Sequence, residues 1–411
     1  MKKFGSILAF SLCVLLAASC SRDGEFDPVK GYSHVFIYCG LGYNNLSGYL
    51  EDDLEEMEEG LLPELNRDLA VVAFCHNTAN PMDFSTPSSP VLVRLYRDKG
   101  AVCADTLKVY PEEMVSASAS SVREMMLDVQ QMFPSESYGM LFSSHAGGWL
   151  PVGYSSAGEN RGVMLMSREP DPSLPLTKTL GAQYESQGSH TISTEIDIRE
   201  FADALPMHLD YLIFDACLLG CVEVAWELRD MCDMIAFSPT EVLAGGFVYE
   251  TLVKNLMAAS KPDLEAVCRD YFEMRDSMDG LYRSATVTLV DCSALVELAG
   301  IFRDIVSYGR NSLAGIDRNS VQKYFYDDGS YFFFYDLRDL AAAMGAEPSM
   351  LEELDAALER CVVYHAETPT FFGLELERCC GLSVYFPSAA WPVLNGYYRT
   401  LGWNEAVGLV Q

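Results

Sequence analysis

At 411 residues and 49% hydrophobic content the chain has material for about two to three domains with real cores. Its 28 Lys and Arg face 59 Asp and Glu, a formal charge of −31. That balance argues against nucleic acid as a partner and against electrostatic docking on anionic lipid, and it suits cationic polypeptides.

The chain opens on Lys2 and Lys3, an apolar run from Ile7 to Leu16, and Ala17-Ala18-Ser19 ahead of Cys20, which is the layout of a secretory leader. The run is too short to cross a membrane as a helix. Leu15, Leu16, small residues and then a cysteine resemble a bacterial lipobox. This implies removal of residues 1–19, a lipid on Cys20, and residues 20–31 left as an acidic, turn-rich tether. Ordinary secretion, with Cys20 inside a simple cleavage site, is the alternative. On the lipobox reading the protein crosses the inner membrane and stays lipid-anchored on a periplasmic or outer, cell-surface face. No later stretch is apolar and long enough for a membrane helix, so attachment is expected only through the N-terminus.

Apolar runs at His34 to Cys39, Leu69 to Cys75, Tyr138 to Phe142, Leu209 to Phe214 and Met234 to Phe237 fit strands buried on both faces. Helical periodicity separates them, in Leu54, Met57, Leu61 and Leu65, then Val122 to Met132, then Phe201 to Leu205. The alternation predicts an α/β fold, a mostly parallel sheet with helices on both faces, over residues 32–260. Val91 to Tyr96 and Ala101 to Val109, around Arg97-Asp98-Lys99-Gly100, read as an inserted β-hairpin. The acidic run from Glu51 to Glu59 reads as a solvated helix start favoured by the macrodipole, not as a metal site.

Residues from about Gly153 to Glu195 form a long loop carrying Pro170, Pro172, Pro175 and the basic residues Arg161, Arg168 and Lys178. Beyond Lys261 helical patterns take over at Leu264 to Met278, Ser293 to Tyr308, Leu337 to Met344 and Leu351 to Val363, broken by strand-like Ala285 to Val290 and Leu382 to Phe386. A smaller mixed, mainly helical C-terminal domain over 261–411 is expected. The 13 cysteines include Cys13 in the leader and Cys20, which leaves an odd number without CxxC pairs. A disulfide framework is therefore not expected to define the fold.

Two motifs stand at strand ends: Ser143-Ser144-His145-Ala146-Gly147-Gly148-Trp149 and Asp215-Ala216-Cys217-Leu218-Leu219-Gly220. In an open parallel sheet, ligands bind at the carboxyl ends of the strands. His145 follows its strand by three residues and so does Cys217, so both project from one edge. A histidine and a cysteine there supply a base and a nucleophile. Cys217 also precedes the helical pattern Val222, Ala225, Trp226 and Leu228, where helix N-terminal amides would favour the thiolate. Ala146, Gly147 and Gly148 allow close backbone approach and offer amides to an oxyanion. The methyl of Ala146 disfavours positive φ by about 1 kcal/mol or more, while the two glycines are free of that cost.

These residues resemble the clostripain family of cysteine peptidases, which has a caspase-like fold. The resemblance rests on Tyr138 to Phe142 leading to His145, on Leu212-Ile213-Phe214-Asp215-Ala216-Cys217-Leu218-Leu219-Gly220, and on Glu223-Val224-Ala225 followed by Glu227-Leu228. Asn44-Asn45-Leu46 and Gly381 to Pro387 add weaker matches, so nearly the whole mature chain is covered. The resemblance implies a Cys217–His145 dyad, an acyl-enzyme, and cleavage of proteins or peptides after Arg or Lys. It also implies, for some members, activation between the two motifs, where self-cleavage after Arg161, Arg168 or Lys178 is expected. Ser144 and Ala146 depart from the family's usual Asp-His-Gly.

Asp215 is a candidate partner for a basic substrate side chain, and equally a candidate helix N-cap. Glu241, in Ser238-Pro239-Thr240-Glu241 after the next strand, is a further candidate for substrate binding. The six histidines show no HExxH, and no EF-hand loop is present, so the resemblance leaves calcium open without placing it. A monomer is expected. The alternative function is a catalytically impaired caspase-like surface binding module, with Ala146 as the mark of lost activity.

Overall fold

The structure, a computed structural model, describes residues 31–78, 80, 86–153, 175, 183–187, 190–257, 261–325 and 333–411. In chain order the first half contains β1 (His34–Gly42), α1 (Ser47–Glu59), β2 (Leu69–Asn77), β3 (Val91–Asp98), β4 (Ala101–Val109), α2 (Ala119–Met132) and β5 (Tyr138–Ser143). Then follow β6 (Gln183–Gln187), β7 (His190–Thr194), α3 (Ile198–Ala204), β8 (Leu209–Asp215), α4 (Val222–Leu228), β9 (Cys232–Phe237) and α5 (Tyr249–Met257). The remainder contains α6 (Leu264–Asp276), β10 (Thr286–Asp291), α7 (Leu295–Gly309), β11 (Tyr335–Asp336), α8 (Leu337–Ala343), α9 (Pro348–Cys361), β12 (Val362–Glu367), α10 (Pro392–Tyr398) and α11 (Gly402–Val407).

Among the described residues nine strands form one sheet in the order β12-β10-β9-β8-β5-β1-β2-β3-β4. The five apolar runs become its centre, with β2, β1, β5, β8 and β9 mutually parallel. Every residue of β1 and β5 is buried, as expected of strands covered on both faces. From β1 the chain steps through α1 to β2 in one direction, and from β5 it steps through α3 to β8 and α4 to β9 in the other. Right-handed crossovers running in opposite directions put α1 and α3–α4 on opposite faces. On one face Phe142 and Phe214 pack on Phe201 of α3, with centroids 5.3 and 6.0 Å away; on the other Tyr38 of β1 meets Tyr249 of α5 at 5.8 Å. The reversal of direction falls between β1 and β5, which is where a doubly wound sheet opens its crevice.

The hairpin forms as expected, with its loop narrowed to Lys99-Gly100 at φ 55° and 82°, the left-handed pair that a two-residue turn matched to strand twist requires. The acidic run differs from expectation. The helix starts at Ser47, so Glu51 to Glu59 occupy its middle and end rather than a dipole-favoured start, and Asp53 turns inward to accept from the Tyr38 hydroxyl at 3.2 Å. Leu61 and Leu65 lie beyond α1, which stops at Gly60, where a side chain would strike the Glu250 carbonyl at 2.6 Å.

The chain after residue 261 both builds helices and extends the main sheet, with β10 antiparallel to β9 and β12 antiparallel to β10. A short strand, Ser383–Val384, pairs with β11, and Ser383 N–H donates to the Gly220 carbonyl at 2.9 Å, tying the C-terminal segment to the loop after β8. Among the described residues no helix is long and apolar enough to cross a membrane.

Candidate active site

Strand register brings the two motifs together. Ser143, the last residue of β5, lies opposite Asp215, the last of β8. His145 and Cys217 therefore each stand two residues beyond a paired strand end, on one edge of the sheet. Gly148 closes the gap between their loops. It holds φ at +63°, and a Cβ there would lie 2.5 Å from the Leu218 carbonyl oxygen and 2.6 Å from Phe334. Ala146 is not among the residues with positive φ, so the left-handed turn falls on a glycine and the Ala146 methyl carries no such strain. Beyond it Trp149, fully buried, packs on Tyr385 and Tyr398 at 4.8 and 5.0 Å and anchors the histidine loop to the C-terminal segment.

His145 is held from β1. Ser144 Oγ donates to the Leu41 carbonyl at 3.0 Å, and His145 Nε2 lies 2.6 Å from Asn45 Oδ1. An amide oxygen only accepts, so Nε2 carries a proton, and in the neutral ring the lone pair is on Nδ1. Asn45 is presented by a turn that Asn44 builds: Asn44 Nδ2 donates to the Leu41 carbonyl at 2.9 Å, and Asn44 Oδ1 accepts from Leu46 N–H at 2.8 Å.

The environment of Cys217 corrects one expectation. The thiol is not at a helix N-terminus, because α4 begins only at Val222 and has Cys221 as its cap. Instead Leu218 takes φ of +61° and turns the chain, and its N–H donates to the Thr240 carbonyl at 2.9 Å, so the motif lies along the loop after β9. There Val242 N–H donates to Cys217 Sγ at 3.1 Å and the Sγ lies 3.6 Å from the Val242 carbonyl. The amide aims a partial positive charge at the sulfur, while the carbonyl contact and full burial act against the thiolate. The same segment leaves Cys217 with no exposed surface.

Asp215 is also fully buried, and it caps no helix. Its Oδ2 accepts from Tyr249 Oη at 2.5 Å and from Ser143 Oγ at 3.3 Å, and the Gly246 Cα packs so closely that a Cβ there would lie 2.3 Å from that oxygen. Gly246 in turn accepts from Arg275 Nη2 at 2.9 Å through its carbonyl. Glu241 is buried in the loop after β9. Ala146 and Gly147 instead line an open cleft beside His145, walled by Phe142, Phe201 and Phe214 and containing Glu195. The backbone amides of a histidine loop facing such a cleft can meet a developing oxyanion.

Two residues named only within longer motifs have roles that the sequence does not announce. Asn45 was visible only as part of Asn44-Asn45-Leu46, and its contact needs the adjacency of β1 and β5. Glu223, in the first turn of α4, accepts from Tyr398 Oη at 2.6 Å and Tyr385 N–H at 2.8 Å, and joins the cysteine-side loop to the C-terminal segment. Burial pushes its carboxyl up to about 7, with those two donors pulling the other way. Cys20, Arg161, Arg168 and Lys178 lie outside the described residues. Among the described residues no group of three or more His, Cys, Asp or Glu is placed to hold a metal ion, so no calcium site is assigned.

The fold is similar to solved structures. An inactive zymogen C11 protease from Parabacteroides distasonis superposes with a TM-score of 0.75 at 24% identity, covering 92% of this chain and 99% of that one. A secreted C11 cysteine protease from Bacteroides thetaiotaomicron, in complex with an irreversible peptide inhibitor, gives 0.72 at 21% identity over 92% of this chain and 99% of its own. At these identities the likeness shows the fold. No curated protein sequence matches the chain. The sequence profile of the clostripain family matches residues 35–164 and 178–373, most of the chain and both motifs. With the fold and the paired motifs in agreement, the chain belongs to the clostripain family of cysteine proteases.

Proposed function

We propose that the chain is a lipid-anchored cysteine endopeptidase that cleaves polypeptides after Arg or Lys through Cys217 and His145. The observation that carries the reading is the register of Ser143 opposite Asp215, which puts an imidazole and a thiol at equal distance past adjacent strand ends. His145 Nδ1 accepts the thiol proton, Sγ attacks the scissile carbonyl carbon, and the amides of Ala146 and Gly147 stabilise the oxyanion. The imidazolium then protonates the leaving amine. Water, deprotonated by His145, hydrolyses the thioester and restores the thiol.

Asp215 supplies the charge that selects a basic side chain, and Glu241, in the loop after β9, adds a second carboxylate to substrate binding. Val242 lies against the thiol and Gly246 against Asp215, so substrate enters once the segment from Val242 to Gly246 lifts. A covered nucleophile is what a precursor awaiting self-cleavage after Arg161, Arg168 or Lys178 would present. The lipobox-like Ala17-Ala18-Ser19-Cys20 supports the anchor, and the acidic chain supports basic peptides as partners.

The test is hydrolysis of fluorogenic peptides ending in Arg, Lys or Ala by the protein and by Cys217→Ala. Turnover of the Arg and Lys peptides by the parent alone is expected; equal signal from Cys217→Ala rejects the reading. Intact mass of purified, fully active protein showing a single uncut chain rejects self-cleavage.

A further inference from the structure

We propose that Asn45 is a positioning residue for the proteolytic reaction, holding the His145 ring in one plane and one tautomer, with Nε2 as the N–H and Nδ1 as the base nitrogen. The inference rests on the dyad reading above and deepens it.

The geometry is specific. His145 Nε2 and Asn45 Oδ1 are 2.6 Å apart, a short hydrogen bond between a ring N–H and an amide oxygen. A neutral imidazole has one N–H, so fixing it on Nε2 leaves the lone pair on Nδ1. Were the other tautomer present, two acceptors would face each other at this distance, and the ring would turn away. The bond therefore selects the protonation site as well as the ring plane. As proton transfer charges the ring, the same amide oxygen accepts from an imidazolium N–H, which makes a stronger bond than with the neutral ring.

The support beneath Asn45 is built and does not depend on Asn45 itself. The turn between β1 and α1 is closed by Asn44, whose side chain donates to Leu41 O and accepts from Leu46 N–H, and whose backbone N–H donates to Gly42 O at 2.7 Å. Ser47 at the start of α1 exchanges hydrogen bonds with Thr78, at 3.0 Å from its Oγ to the Thr78 carbonyl and 2.9 Å from Thr78 N–H. Ser144 Oγ, next to His145, bonds the Leu41 carbonyl, which Asn44 also uses. The imidazole and its acceptor are thus referenced to the same end of β1. Asn45 is half-buried while Asn44 is fully buried, so the structural work of the turn falls on Asn44 and the Asn45 amide oxygen serves His145.

The experiment uses the full mature chain with an Arg fluorogenic peptide and compares the parent, Asn45→Ala, Asn45→Asp and Cys217→Ala. Asn45→Ala is expected to lose roughly 10- to 100-fold in kcat with KM changed by less than about threefold, and to keep the parent's melting temperature. Asn45→Asp preserves an acceptor oxygen in the same place and is expected to recover most of the loss, whether or not the alanine variant folds well. Parent-like kcat in Asn45→Ala, a loss confined to KM, or Asn45→Asp no better than Asn45→Ala overturns the proposal while Cys217→Ala remains inactive. An active Cys217→Ala overturns the dyad reading and this inference together.

Discussion

Gly148 is where the histidine and cysteine loops meet, and replacing it tests whether that meeting matters. In Gly148→Ala the new methyl would sit 2.5 Å from the Leu218 carbonyl oxygen and 2.6 Å from the Phe334 ring, on a backbone at φ +63°. Left-handed alanine costs about 1–2 kcal/mol, and overpacking a filled site typically about 1–3 more, so a loss of about 2–5 kcal/mol is expected. The Leu218 oxygen belongs to backbone already turned at φ +61°, so the strain is relieved by moving the loops apart. A displacement approaching 1 Å between catalytic groups can cost about 100-fold in rate. Differential scanning calorimetry and kcat/KM on an Arg peptide give both readouts, with a melting temperature lowered by several degrees and kcat/KM down by about 100-fold expected. A variant with the parent's melting temperature and turnover would refute the close approach and the argument built on it.

Ala146→Gly is the matching control: φ at Ala146 is not positive, so glycine relieves nothing and is expected to cost up to about 1 kcal/mol in unfolding free energy by denaturant titration, with no gain in activity. Glu223 sets a pH dependence. Its carboxyl, raised to about 7 mainly by burial, holds its proton more tightly folded than unfolded, so its contribution favours the fold at acidic pH and is lost as pH rises from about 4.5 through about 7. Glu223→Gln removes this, so relative to the parent the variant should gain about 3 kcal/mol between pH 4 and pH 8.5 in urea titrations; parallel curves for the two proteins would contradict it. On the proposed specificity, Asp215→Asn lowers kcat/KM on Arg and Lys peptides by about 100-fold or more while sparing any slow turnover of an Ala peptide. An equal loss on all three would mark Asp215 as a purely structural carboxylate serving Tyr249 and Ser143.

The centre of the sheet was legible because β1, β2, β5, β8 and β9 are apolar on both faces, which leaves few alternatives for such runs. The edges were harder. At β12 the residues Val362 to Ala366 alternate between half-buried and exposed, and Val362 and Val363 merge with the periodicity of α9, so the sequence reads as a helix end where a strand forms. His145 and Cys217 were legible from their place after strands, whereas the environment of the thiol was not. Its partner Val242 arrives from a loop 25 residues later, through a turn at Leu218 whose positive φ a leucine does not announce. Asn45 was hidden for the same reason, since its value depends on which strand lies beside β5.

The most direct test of the account is covalent labelling of the mature protein by a basic peptide acyloxymethyl ketone, with the modified residue identified by mass spectrometry. None of the eleven described cysteines forms a disulfide, so ten thiols besides Cys217 are present in the same reaction. The account predicts a single label on Cys217, slowed at least about 100-fold in His145→Ala. A label on any other cysteine, or one on Cys217 at the same rate without His145, would contradict it.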